Sequence, residues 1–176
     1  SIDLYTELSK PHWGKSLIVW PETAVPAFSD EVPEVLARLK SQATESGTSL
    51  LVGIATGNPS GGDDYFNSVV QLGVGSGNYN KRHLVPFGEY LPFDKWLRPL
   101  TNFLRIPMSN FSPGELEQPL LSVGEYSVGV SICFEDAYVE EVARALPQAN
   151  VLVNVSNDAW FGNSIAPHQH LQIARM

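Results

Sequence analysis

The sequence predicts an α/β layered fold with mixed sheets. Short β-branched apolar runs recur along the chain, and stretches with helical spacing separate several of them. Size agrees: 176 residues, 43% hydrophobic and 17% charged, suffice for one substantial core in a single domain.

Residues 1–10 read as the middle of a helix with no initial strand before it. Leu17-Ile18-Val19-Trp20, closed by Pro21, reads as a buried strand followed by a turn. Residues 30–46 suit a helix, with Asp30 as its cap and Val32, Val35, Leu36, Leu39 and Ala43 along one face. Residues 49–55 form the next strand, ending in a Gly- and Asp-rich loop. Residues 67–72 make another, and residues 73–78 a turn leading to Tyr79 and Lys81. Residues 81–120 are irregular and rich in Pro, and so long a connection tends to be functional. Strands follow near 120–123 and 127–132, then a helix over 137–146 and a last buried strand over 151–155. At 167–176 an apolar pattern (Leu171, Ile173, Ala174) begins with no Gly or Pro to stop it. Both ends read as cut, so we expect an ordered portion of a longer protein. There is no internal repeat.

A net charge of −8 argues against nucleic acid as a partner, because neutralising phosphates needs clustered Lys and Arg. No window reaches the length of an apolar membrane span, and no amino-terminal signal pattern is visible. One cysteine excludes an internal disulfide. His12, His168 and His170 have no metal-ligand spacing, so no metal is expected.

Three places carry chemistry. Cys133 sits in Gly129-Val130-Ser131-Ile132-Cys133-Phe134-Glu135-Asp136, where a β-branched run delivers one thiol to a strand end. Such a cysteine is either a small buried apolar residue or a nucleophile favoured by a nearby cation or base. Glu22, after Pro21, is either a solvated turn residue or a carboxylate whose pKa burial raises for general base work. Lys81 lies in Tyr79-Asn80-Lys81-Arg82-His83, a basic run that is either a solvated face or, because an apolar segment follows at once, an oxyanion stabiliser. The backbone N–H of Phe134 would assist it.

Trp20-Pro21-Glu22, Asn80-Lys81-Arg82-His83-Leu84-Val85-Pro86-Phe87-Gly88-Glu89 and Ser131-Ile132-Cys133-Phe134-Glu135 resemble, in order, the three catalytic blocks of the nitrilase superfamily. The string from His83 to Pro92 and Val155-Ser156-Asn157-Asp158-Ala159-Trp160-Phe161-Gly162 resemble its apolipoprotein N-acyltransferase branch. The resemblance covers essentially the whole chain. It implies a nitrilase-like α-β-β-α sandwich, incomplete at both ends, with residues 1–176 a partial catalytic domain lacking a preceding membrane domain. It further implies Glu22 as general base, Lys81 as oxyanion stabiliser and Cys133 as nucleophile. Glu89 would orient Lys81, Glu135 would be an accessory group, and Asn157 and Trp160 would contact substrate. Phe134 stands where members of the branch commonly carry Tyr, so the ring is kept and the hydroxyl lost.

Residues 93–108 interleave Trp96, Leu97, Leu100, Phe103, Leu104 and Ile106 with Lys95, Arg98 and Arg105. That mixture suits either a membrane interface with anionic headgroups or an ordinary core-packing loop. With the resemblance, it implies an acyltransferase that needs no cofactor. A phospholipid would be the acyl donor and a diacylglyceryl-apolipoprotein the acceptor, at the bacterial inner membrane with the domain facing the periplasm. A soluble nitrilase-like amidase and a non-catalytic docking module of the same fold stay open as alternatives.

Overall fold

The structure is a computed structural model that describes residues 1–58, 64–86, 88–90 and 111–175. The first sheet is built around β3 (Ser49–Gly57). β1 (Leu17–Val19) and β2 (Val25–Phe28) both pair with it in parallel, β1 beside its start and β2 beside its end. β4 (Tyr65–Gly73) runs antiparallel to β3, and β5 (Gly77–Asn80) antiparallel to β4. In the second sheet β6 (Leu121–Val123) is antiparallel to β7 (Tyr126–Ile132), and β8 (Val151–Val155) lies parallel on its other side. Both sheets are therefore mixed, as the sequence predicts.

Alternation along β3 decides the layering, because successive side chains leave a strand on opposite faces. Leu50, Val52 and Ile54 face one way and join Leu39 and Ala43 of α2 (Pro33–Glu45) in the outer core. Leu51 faces the other way and packs with Val69, Tyr79, Leu121, Val128, Ile132 and Val155 between the sheets. Each such aliphatic side chain contributes roughly 1.5–3 kcal/mol by leaving water. α1 (Ile2–Ser9) is tied to the end of β1 through Trp20, whose Nε1–H donates to Ser9 Oγ at 2.9 Å while its ring packs on Tyr5. On the far face of the second sheet the segment after α3 (Val139–Ala143) comes down on Gly129. A Cβ at Gly129 would stand 2.9 Å from Leu152 Cδ2 and 3.0 Å from Ala145 Cβ, so the missing side chain admits this layer. The result is the α-β-β-α order that the resemblance implies, with α4 (Ala166–Ile173) against the carboxyl-terminal end of the second sheet.

Several elements differ from expectation. Asp30 is not the cap of α2: Val32 holds that position without a side-chain bond, and Pro33 starts the helix with its preset φ. The helix expected over 137–146 is shorter, because Cys133–Ala137 is a 3-10 turn and Tyr138 (φ −92, ψ 68) breaks the helical path before α3. Gly77–Asn80 pairs as a strand although Gly and Asn disfavour one, since ladder bonds to β4 override propensity. β2, interrupted by Pro26, has no clear periodic signature and exists by pairing with β3. Residues 93–108, with Trp96, and residues 59–63 of the loop after β3 lie outside the described residues.

Gly53, in mid-β3, lets the Trp20-Pro21-Glu22 turn close over the strand. A Cβ there would lie 2.7 Å from Glu22 Cα and 2.8 Å from Thr23 N, and closer still to the Pro21 carbonyl oxygen. Backbone cannot yield as a flexible side chain can. Gly53→Ala is therefore expected to destabilise the fold by about 1–3 kcal/mol, read as a lowered denaturation midpoint.

Candidate active site

The three motif blocks meet at the carboxyl-terminal ends of strands. Glu22 follows β1, Lys81 follows β5 and Cys133 follows β7. Two of these turns use left-handed backbone: φ is +54° at Cys133 and at Thr23, the residue after Glu22. Side chains with a Cβ seldom adopt this conformation, and at strand ends it lifts a functional group into a loop while the strand stays paired.

Lys81 is the most buried cation of the site, 1% exposed. Its Nζ donates to Glu22 Oε1 at 3.3 Å and to Glu89 at 3.0 Å. Asn67, from β4, ties the two carboxylates together by donating through Nδ2 to Glu22 Oε1 at 2.8 Å and to Glu89 Oε1 at 2.7 Å. Backbone N–H groups hold the remaining oxygens, Asn157 N on Glu22 Oε2 at 3.1 Å and Val85 N on Glu89 Oε2 at 2.8 Å. Glu22 and Glu89 thus have defined oxygens for defined donors.

Burial alone would depress the Lys81 pKa, but the charges of Glu22 and Glu89 outweigh it and hold the ammonium above its ordinary range. Lys81 therefore stays a cation. Burial pushes the Cys133 thiol up to about 11, with Glu22 adding to the shift and Lys81 and the Phe134 backbone N–H opposing it. Cys133 thus rests as a neutral thiol beside the carboxylates and the ammonium.

Glu135 is 2% exposed and accepts four bonds: from Arg82 N at 2.6 Å, His83 N at 3.1 Å, Tyr79 Oη–H at 2.9 Å and Ile132 N at 2.7 Å. Its carboxylate clips the Lys81 block to the Cys133 turn. Asn154 of β8 completes the support by donating to the Cys133 carbonyl at 2.9 Å. Asn157 offers its backbone N–H to Glu22, while its side chain accepts from Ala159 N at 3.2 Å and caps the 3-10 turn Asp158–Phe161. Trp160 belongs to that turn; its side chain is outside the described residues, as is Trp96.

Cys133 opens onto a cavity of about 370 Å³ lined chiefly by Leu84, Val85, Pro86, Phe134, Tyr138 and Phe161. Phe134 is half exposed in its wall and meets the Tyr138 ring edge-on at 5.8 Å, and Tyr138 stacks on His83 at 3.9 Å. A larger cavity of about 450 Å³, lined by Tyr79, Arg82, Leu116 and Arg144 among others, does not include Cys133. Size points to the second cavity and chemistry to the first. The first holds the thiol of the third motif block.

Sequence reading missed Asn67 and Asn154. The one available signal was a buried-type strand carrying an amide, Asn67 before Val69 and Asn154 after Val153, where an apolar residue or a turn would be expected.

Residues 2–176 match the carbon-nitrogen hydrolase family. The chain is 46% identical to apolipoprotein N-acyltransferase of Methylococcus capsulatus, covering 100% of this chain and 35% of that protein. It is 44% identical to the enzyme of that name from Pseudomonas aeruginosa, over 99% of this chain and 35% of the relative, and 38% identical to that of Photobacterium profundum, over 98% and 35%. The chain thus spans about a third of the length of these curated relatives. Among solved structures it is similar to a carbon-nitrogen hydrolase from Helicobacter pylori (TM-score 0.66, 19% identity, 99% of this chain and 61% of that one). A carbon-nitrogen hydrolase superfamily protein from Xanthomonas campestris is similar too (TM-score 0.67, 18% identity, 99% and 63%). With the layered fold, the three ordered motif blocks and a family match along its whole length, this chain belongs to the carbon-nitrogen hydrolase family.

Proposed function

We propose that residues 1–176 form a partial catalytic domain of an apolipoprotein N-acyltransferase, with Glu22, Lys81 and Cys133 as its catalytic residues. The observation that carries this reading is the Glu22–Lys81–Glu89 cluster beside a thiol that opens onto an apolar cavity. In the first half-reaction Cys133 attacks the ester carbonyl of a phospholipid. Because the thiol is neutral at rest, Glu22 takes its proton as the S–C bond forms. The Lys81 ammonium and the Phe134 N–H stabilise the oxyanion, and Lys81 is too firmly protonated to act as the base. Collapse breaks the C–O bond, and the proton on Glu22 passes to the departing lysophospholipid oxygen.

In the second half-reaction the α-amino group of a diacylglyceryl-modified amino-terminal cysteine attacks the thioester. Glu22 takes the amine proton, the amide forms, and the sulfur leaves and is reprotonated. Glu89 orients Lys81, and Glu135 positions the Cys133 turn without touching substrate. Asn157 and Trp160 are proposed substrate contacts on the strength of the family resemblance, and Trp96 on its place in the apolar and basic segment 93–108. The thioester must outlast attack by water, and the apolar cavity wall supports that. Among the described residues no helix is long and apolar enough to cross a membrane. Location at the inner membrane, with this domain on the periplasmic side, rests on the likeness to the curated relatives.

Incubating the complete gene product with phospholipid and digesting it for mass spectrometry should reveal a fatty-acyl increment on the Cys133 peptide. Lys81→Ala should slow its formation by about 10²–10³-fold. Full acyl transfer by Cys133→Ala, or turnover of small amides with no acyl increment from lipid, would defeat the reading.

The electrostatics give a second test, by alkylation of Cys133 with iodoacetamide across pH. The apparent thiol pKa should lie near 11. Glu22→Gln should lower it, because a charge opposing thiolate is gone, and Lys81→Ala should raise it. Glu22→Gln would then alkylate faster while transferring acyl groups more slowly. A shift in the other direction would contradict the assigned charges.

A further inference from the structure

His170 lies on α4, outside the catalytic cluster, with a side chain 12% exposed. Both of its ring nitrogens face carboxylates: Nδ1 is 2.8 Å from Asp158 Oδ1, and Nε2 is 3.4 Å from Asp136 Oδ2. A neutral imidazole has one donor and one acceptor nitrogen, and its acceptor would point a lone pair at a carboxylate. Only the imidazolium presents an N–H to both, with a formed hydrogen bond to Asp158 and an ion-pair separation, short of a hydrogen bond, to Asp136. Asp136 is itself 8% exposed in its side chain and neither of its oxygens receives a well-formed hydrogen bond, so the ring is the cation that answers its charge.

The two aspartates stand beside the reacting groups. Asp136 belongs to the 3-10 turn that begins at Cys133, and Asp158 opens the 3-10 turn next to Asn157, whose N–H holds Glu22. His170 also lines the cavity onto which Cys133 opens. We propose that the His170 imidazolium is a positioning residue that clamps the nucleophile's turn to the turn that holds the general base. This inference rests on the proposed acyl-transfer reading for its kinetic consequence, but its structural part stands without it.

The titratable groups facing the ring are Asp136 from the first turn and Asp158 from the second; Cys133 meets it through its backbone, and Asp158 also acts on Asp136. Burial lowers the His170 pKa, but the bond to Asp158 and the charge of Asp136 outweigh it, so the value lies above the ordinary histidine range. The sign follows from that. A group whose pKa is raised by folding adds stability that is complete below its unfolded pKa and is lost as pH rises through the folded one. The clamp is closed near neutral pH and opens on the alkaline side as His170 loses its proton; in acid it weakens as Asp136, whose pKa burial raises, takes one up.

The test compares the complete gene product in detergent with its His170→Gln and Asp158→Asn variants, from pH 6 to pH 9.5. The rate of acyl transfer and the thermal midpoint are both measured. His170→Gln should slow transfer by about ten- to a hundredfold at pH 6, with the KM for phospholipid little changed. The ratio of parent to variant rates should shrink toward one at the alkaline end, and the gap between their midpoints should shrink with it. Asp158→Asn, in which His170 loses the partner that raises its pKa, should lose transfer rate and thermal midpoint at lower pH than the parent does. Taking the ratio cancels the titration of the acceptor amine, which both proteins share. A ratio and a midpoint gap that stay constant across pH would overturn the clamp and leave an ordinary packing role. Should His170→Gln fail to fold, Asp158→Asn carries both readouts. If the parent protein transfers no acyl group at all, the acyltransferase reading fails, while the pH dependence of the midpoint gap still decides the clamp.

Discussion

The structure depends on one buried ammonium held between two carboxylates. Moving Lys81 out of water costs several kcal/mol, and a lone charge at its position would not survive. Glu22 and Glu89 meet it at 3.3 and 3.0 Å, and Asn67 occupies the angle between them. The cluster carries two negative charges and one positive, so it opposes any further anion nearby. Burial first, and that surplus after it, keep Cys133 a thiol whose proton has to leave as any new bond to sulfur forms. Charge balance supports the proposed roles: so firmly protonated an ammonium is no base, and a thiol in this setting is no standing thiolate.

The fold exists to bring these groups together from 22, 81, 89 and 133 along the chain. Rigid strands end where each side chain is needed, and irregular backbone is confined to the step beyond. Left-handed conformations at Thr23 and Cys133 turn the chain at two of those steps. Gly53 allows the first to lie on β3, and Glu135 draws the Lys81 block and the Cys133 turn together with four bonds from both sides. Glu135 thus serves geometry, whereas Glu22 and Glu89 serve charge.

Much of this was legible in the chain. The strand at Val151–Val155, the strands flanking the Cys133 turn, the core face of α2 and the meeting of the three motif blocks all follow from local periodicity or ordered sequence. Val151 and Leu152, however, are exposed where the sequence predicts a buried strand. What escaped depends on distance in sequence. Asn67 bonds residues 45 and 22 positions away, and Asn157 supplies a backbone N–H to a carboxylate 135 positions away. No window contains such a pair. β5 was hidden because its Gly and Asn residues oppose strand propensity until β4 supplies the ladder. Asp30 was misplaced because Pro33 supplies the helix start that a capping side chain would otherwise mark.

A double-mutant cycle on Lys81→Met and Glu22→Gln, read as unfolding free energy, tests the central charge balance most directly. Lys81→Met alone leaves two carboxylates facing one another and should cost about 3–5 kcal/mol. Adding Glu22→Gln removes one of them and should recover part of that loss, giving a coupling of about 1–3 kcal/mol. Strictly additive costs would mean that the ammonium and the carboxylate do not sense each other, and the electrostatic account would be wrong.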